Sequence, residues 1–197
     1  GSSAHWIRTE ADERAVTDGC TFDESAGLHV VEFFENFLRH TKGQWAGASF
    51  RLMDWQRDDV IFPLFGWKQV DGSRRFRTGY IEVPKKSGKS AMGAGLSLYL
   101  LLADGEPGAE VYNAAVDREQ AGIVFGEAAN MVDSSPHLKR RLHVVRSRKT
   151  IAFPAGRGVY KALSAEVATK EGLNIHGLVF DEFHAQANRQ LWEALRY

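Results

Sequence analysis

Two short runs in this 197-residue chain carry residue types suited to phosphate and metal chemistry. The first is Val83-Pro84-Lys85-Lys86-Ser87-Gly88-Lys89-Ser90. Gly88, Lys89 and Ser90 match the end of the pattern G-x-x-x-x-G-K-S/T, while Val83 stands where that pattern has its first glycine. Phosphate oxygens need several donors at close range. A turn entering a helix offers free backbone N–H groups and the positive end of the helix dipole. Gly88 admits a close backbone approach, with Lys86 and Ser87 beside it in the cradle. Lys89 would reach the outer phosphates of a nucleotide, and the Ser90 hydroxyl would hold Mg²⁺. Taken alone, the run reads equally well as a basic surface turn that caps a helix.

The second run is Gly177-Leu178-Val179-Phe180-Asp181-Glu182, an apolar stretch ending in two acids. A nucleotide hydrolase needs one carboxylate for the metal and one base for water, both at the end of a neighbouring strand. Asp181 fits the metal role and Glu182 the base. Strand-end acids also occur at ordinary solvent-facing turns. The two runs together, with Asp181 lying 92 residues beyond Lys89, leave room for several β/α units and favour a nucleotide hydrolase.

The surrounding elements must hold those runs at strand ends. Tyr80–Val83 reads as a strand before the basic turn, and Ser90–Ala103 as a buried helix after it. Glu110–Ala115 reads as the next strand, followed by a helix from Asp117 to about Val132. Leu142–Val145, Thr150–Phe153 and Val159–Leu163 read as further strands, Leu178–Phe180 as a short apolar one, and Arg189–Arg196 as a last helix. Upstream, Val30, Phe33, Phe34 and Phe37 sit at helical spacing with Gly43 as a stop. A short helix is expected from Asp54 toward Ile61, ending before Pro63. Strands alternating with helices predict an α/β fold around a mainly parallel sheet. A wholly apolar strand such as Leu178–Phe180 fits a sheet covered on both faces. The expected division is an N-terminal helical segment over 1–43 and a nucleotide-binding core over 44–197.

Composition bounds the partners. Hydrophobic residues make up 44% and charged residues 25%, as in an ordinary globular protein. Lys and Arg balance Asp and Glu at 25 each, so any nucleic-acid contact must come from a local patch. His137, Lys139, Arg140, Arg141, His143, Arg146, Arg148 and Lys149 form one such cluster, readable either as a solvated basic face or as a DNA or partner contact. A single cysteine, Cys20, excludes an internal disulfide and a cysteine-built zinc site. No apolar run approaches membrane-span length, and no start resembles a signal peptide.

Several segments together resemble the large terminase subunit of tailed bacteriophages, in the branch that includes phage HK97. Phe50-Arg51-Leu52-Met53-Asp54-Trp55-Gln56, with Val60-Ile61-Phe62-Pro63-Leu64-Phe65-Gly66 after it, is similar to that family's adenine-recognition segment. The family's phosphate loop also lacks its first glycine and carries basic residues before Gly-Lys-Ser. The Ala114–Ala121 segment and the run from Ser164 to Leu173 resemble the family as well.

This resemblance implies a P-loop NTPase fold of the RecA-like, glutamate-base class. It implies Gln56 on the adenine edge, and Lys85 in the place of an arginine assigned beside the γ-phosphate. Arg118 is a candidate for contacting a neighbouring subunit's nucleotide. The implied function is an ATPase, using ATP and Mg²⁺, that drives double-stranded DNA into a procapsid. Implied partners are DNA, a small terminase subunit, the portal of the procapsid, and further copies in a ring, in the cytoplasm of a bacterial host and without a membrane. The resemblance covers about Val30 to Tyr197, so the chain is expected to be an ATPase domain incomplete at its C-terminus. The family's nuclease domain is expected to lie outside it. Two other readings remain at this stage. Asp181-Glu182-Phe183-His184 has the D-E-x-H form of some helicases, and the absent first glycine fits a non-catalytic binding module.

Overall fold

A computed structural model of the chain describes residues 3–115, 118–164 and 172–181. It packs as two compact units, Gly1–Asn36 with Ser49–Val83, and Phe37–Ala48 with Pro84–Tyr197. These boundaries differ from a division at residue 43. The chain leaves the first unit at the end of an amphipathic helix, re-enters it, and leaves again directly before the basic turn.

In the first unit, α1 (Glu10–Thr17) begins with a reciprocal cap. Thr9 Oγ1 accepts from the Asp12 N–H at 3.2 Å, and Asp12 Oδ2 accepts from the Thr9 N–H at 3.1 Å. Asp12 then accepts from Arg75 Nη1 at 2.7 Å, and the Arg75 guanidinium lies over the rings of Trp67 and Phe76. The helix α2 (Glu24–Phe37) buries Val30, Phe33 and Phe34, the face that their spacing predicts, but it ends at Phe37, short of the stop expected at Gly43. Strands β1 (Thr21–Phe22) and β2 (Trp67–Lys68) pair antiparallel. Trp6 stacks on Phe22 and on Phe62, with centroids 4.7 Å away in each case.

Two expectations fail in this unit. The helix expected to stop before Pro63 instead runs through it: a π-helical stretch, Gln56–Ile61, continues into α3 (Phe62–Gly66). The Phe62 N–H reaches back to the Arg57 carbonyl, a wide turn, and Pro63 follows directly after it, where the widened ladder accommodates the proline. Tyr80–Val83, expected as a strand, is not one. Tyr80 is 70% and Ile81 38% exposed, and an apolar run without a ladder partner has no reason to stay in a sheet.

The second unit holds a five-stranded sheet in the order β4-β5-β6-β3-β7. Its members are β3 (Glu110–Ala115), β4 (His143–Val145), β5 (Thr150–Phe153), β6 (Gly158–Ser164) and β7 (Gly177–Phe180). The central pairings, β6 with β3 and β3 with β7, are parallel, while β4, β5 and β6 pair antiparallel. Helices α4 (Lys89–Leu102) and α5 (Arg118–Ser134) pack against the sheet, and a short α6 (Pro136–Arg141) follows.

In β3 all of Val111–Ala115 is buried. Tyr112 and Ala114 join Leu163, Leu178, Phe180, Leu173 and Ile175 in one apolar cluster. On the alternate positions, the Asn113 side chain donates to the Ala121 carbonyl of α5 at 2.9 Å. Leu178–Phe180 is only half-buried, because β7 is the last strand of the sheet among the described residues. The helix expected over Arg189–Arg196 lies outside the described residues.

Candidate functional site

The site is built where α4 begins and β7 ends. Gly88 is the residue before α4 and sits at φ 81°, ψ 13°, a left-handed conformation that a side chain would strain. Lys86, two residues earlier, also has positive φ, 66°. Two left-handed residues therefore flank Ser87. Backbone of this kind gathers N–H groups into anion-binding concavities, here at the start of a 14-residue helix. The Ser87 hydroxyl is buried and has no hydrogen-bond partner among the described residues. Lys85 and Lys86 are exposed beside it.

Parallel pairing with β3 fixes where β7 ends, with Val179 opposite Asn113 and Phe180 opposite Ala114. The Asp181 N–H follows the ladder outward to the Ala114 carbonyl at 3.4 Å. Its carboxylate faces the start of α4. Lys89 Nζ is 3.5 Å from Asp181 Oδ1, and Ser90 Oγ donates to Asp181 Oδ2 at 3.5 Å. Both contacts are long for hydrogen bonds, leaving room to be exchanged for ligand oxygens. The Lys89 and Asp181 side chains keep 32% and 21% of their surface, so the pair is partly open to solvent.

Close packing of α4 on β7 makes this approach possible, and here sequence reasoning overlooked two residues. A Cβ on Gly93 would lie 3.1 Å from Val179 Cγ1, and one on Gly177 would lie 2.6 Å from Leu100 Cδ1. A larger side chain at Gly93 would press on Val179, while one at Gly177 would have to turn the Leu100 side chain aside. The available signal was a glycine within a Leu-rich helix and another opening an apolar strand, both marks of close backbone approach.

The structure thus brings together Lys89, Ser90 and Asp181 beside the left-handed turn of Lys86, Ser87 and Gly88. Gln56 lies in the other compact unit. It is 1% exposed, and its Oε1 accepts from the Met53 N–H at 2.9 Å, at the start of its own helical stretch. Glu182 and His184 lie outside the described residues. Arg118 is the first residue of α5.

A profile of the family described as "terminase large subunit, ATPase domain" matches residues 54–197. The chain belongs to that family. Among relatives, the terminase large subunit of Enterobacteria phage HK97 is 31% identical over 158 residues, which cover 79% of this chain and 30% of that protein. A crystal structure of the HK97 bacteriophage large terminase superposes with a TM-score of 0.67 at 27% identity, over 85% of this chain and 34% of that one. The chain therefore spans about a third of the terminases it resembles. The family takes its description from an ATPase domain, and the α/β sheet here has the fold of the HK97 terminase. Nothing in these likenesses supports a helicase. No helix among the described residues is long and apolar enough to cross a membrane.

Proposed function

We propose that this terminase ATPase domain hydrolyses Mg²⁺-ATP to drive double-stranded DNA into a procapsid. The observation that carries the reading is the convergence of Lys89 and Ser90 on Asp181, each at 3.5 Å, at the mouth of a left-handed turn. In this reading the backbone of Lys86, Ser87 and Gly88 cradles the phosphates, and Lys89 holds the β- and γ-oxygens. Lys85 stands beside the γ-phosphate as a point charge. Gln56 reads the adenine edge, which requires its enclosed side chain to exchange the Met53 N–H for the base.

A hydroxyl and a carboxylate 3.5 Å apart are a hard-oxygen donor set that fits Mg²⁺, so Ser90 and Asp181 would hold the metal. When bound, the metal neutralises charge on the phosphate oxygens. Glu182 polarises the attacking water and accepts its proton. The Ser87 hydroxyl donates to a phosphate oxygen, which satisfies a group without a partner among the described residues.

The core doing this work centres on the compact unit of Phe37–Ala48 with Pro84–Tyr197. In the whole protein it would act with a nuclease domain, a small terminase subunit and the portal of a procapsid, as one member of a ring in the cytoplasm of the bacterial host. Glu182→Gln tests the chemistry: ATP binding should persist while turnover falls about 10²- to 10⁴-fold, the usual worth of a positioned base. Turnover at the wild-type rate would remove Glu182 from the mechanism.

A further inference from the structure

We propose that the face formed by α6, β4 and the Arg146–Arg148 turn binds the phosphates of duplex DNA. The inference rests on the packaging reading for its ligand and on the following charge pattern for its place. Between Ser134 and Ala165 the chain has eight lysines and arginines and no aspartate or glutamate, although the whole chain is neutral. The cations are not scattered through a core. In α6, Leu138 is buried while Lys139, Arg140 and Arg141 are exposed. β4 follows as the outermost strand on its side of the sheet among the described residues, with His143 exposed. The strand ends in a single 3₁₀ turn that exposes Arg146 and Arg148.

The cations divide into those already neutralised and those that are not. Arg146 donates to the Asp133 carboxylate and, at 3.2 Å, to Asn130 Oδ1. Arg140 lies 3.2 Å from His137 Nδ1. Lys139, Arg140, Arg141 and Arg148 have no acidic partner among the described residues, since the His137 ring beside Arg140 carries no negative charge. Four exposed cations without an acidic partner, at the two ends of a short strand, make a local positive patch on a neutral chain, the kind of surface that attracts a polyanion. A three-residue strand spans roughly 10 Å at about 3.3 Å per residue. That length matches roughly three phosphates along one DNA strand, at about 3.4 Å of axis each. Such contacts position a duplex without reading its sequence, as a motor that moves along any sequence requires.

The test is the salt dependence of duplex binding by the whole protein. Each phosphate contact contributes about 0.9 to the slope of log affinity against log salt. The probe is a fluorescent duplex of about thirty base pairs of arbitrary sequence, titrated in EDTA between about 50 and 200 mM salt. The triple variant Lys139→Gln, Arg141→Gln, Arg148→Gln should lower the slope by roughly two to three. A control with equal loss of charge, Arg14→Gln, Arg51→Gln, Arg77→Gln, should change it by less than about one. Arg146→Gln should do less than any member of the first set, because Asp133 already holds that side chain.

Equal slopes for the two triple variants overturn the proposal, as does a wild type that binds no duplex. An unchanged slope with new aggregation would overturn it too, and would assign the charges to guarding an open sheet edge. An unchanged slope with lost association to a portal-bearing procapsid would assign the face to a protein instead. Mg²⁺-ATP binding, measured in parallel, should match wild type in every variant. Absence of that binding in the wild type would sink the proposed function while leaving the duplex result readable.

Discussion

Replacing Asp181 with asparagine should tighten ATP binding in EDTA while abolishing the gain that Mg²⁺ provides. In the structure the carboxylate engages both Lys89 Nζ and Ser90 Oγ, each at 3.5 Å. A nucleotide must therefore take Lys89 away from Asp181 and bring its own negative charge close to that carboxylate. Bare Coulomb attraction at this distance would be roughly 4 to 5 kcal/mol at an effective dielectric near 20. The side chains keep 32% and 21% of their surface, so solvent screening brings the net figure down. For such a pair about 0.5 to 1 kcal/mol is realistic. At about 1.4 kcal/mol per tenfold, this is a gain of about two- to fivefold in metal-free affinity. Competition against a fluorescent nucleotide, run in EDTA and again in Mg²⁺, separates the two effects. The metal-free gain should shrink as salt rises, since an exposed pair is screened. Unchanged or weaker metal-free binding would refute the idea that Asp181 restrains Lys89. A Mg²⁺ gain as large as in wild type would refute Asp181 as a metal ligand.

Gly93→Val should destabilise the fold by about 1 to 3 kcal/mol and weaken ATP binding, because a side chain there lifts α4 from Val179; the urea midpoint measures the first effect and titration the second, and a wild-type midpoint would contradict the packing argument. Arg75→Gln should cost about 1.5 to 3 kcal/mol in urea unfolding by removing a charged hydrogen bond to a largely buried carboxylate. Burial pushes the Asp12 carboxyl up, but hydrogen bonds from the Arg75 and Thr9 side chains and the Arg8 N–H outweigh it and hold the group below its ordinary 3.8. That stability is therefore fully present above about pH 4 and lost as pH falls through the lower folded value. Wild type and Arg75→Gln should converge in acid; a gap that stays constant to pH 2 would show that ring stacking, and not the ion pair, carries the effect.

Much of the second unit was legible because its signals are local. The apolar run after Ser90 could only be a buried helix. Glu110–Ala115 and Gly177–Phe180 announced themselves as short apolar stretches between turn residues. The meeting of the Gly88-Lys89-Ser90 turn with Asp181 followed from placing one at a helix start and the other at a strand end. What stayed hidden depends on partners distant in sequence. Tyr80–Val83 has strand-like residues, but a strand exists only where a ladder receives it. The passage through Pro63 depends on a π-helical turn, which no propensity marks. The cap between Thr9 and Asp12 had a readable spacing, whereas its link to Arg75, 63 residues on, did not. Gln56 is enclosed by its own unit, a circumstance that residue type alone does not reveal.

The central claim is that the turn before α4 is a nucleotide phosphate site. Calorimetric titration of Mg²⁺-ATP into wild type and Lys89→Ala tests it most directly. One charge-assisted contact contributes about 1.5 to 3 kcal/mol, so the account predicts binding by wild type and a loss of about 10- to 150-fold in the variant. Equal affinity in the two proteins would contradict it.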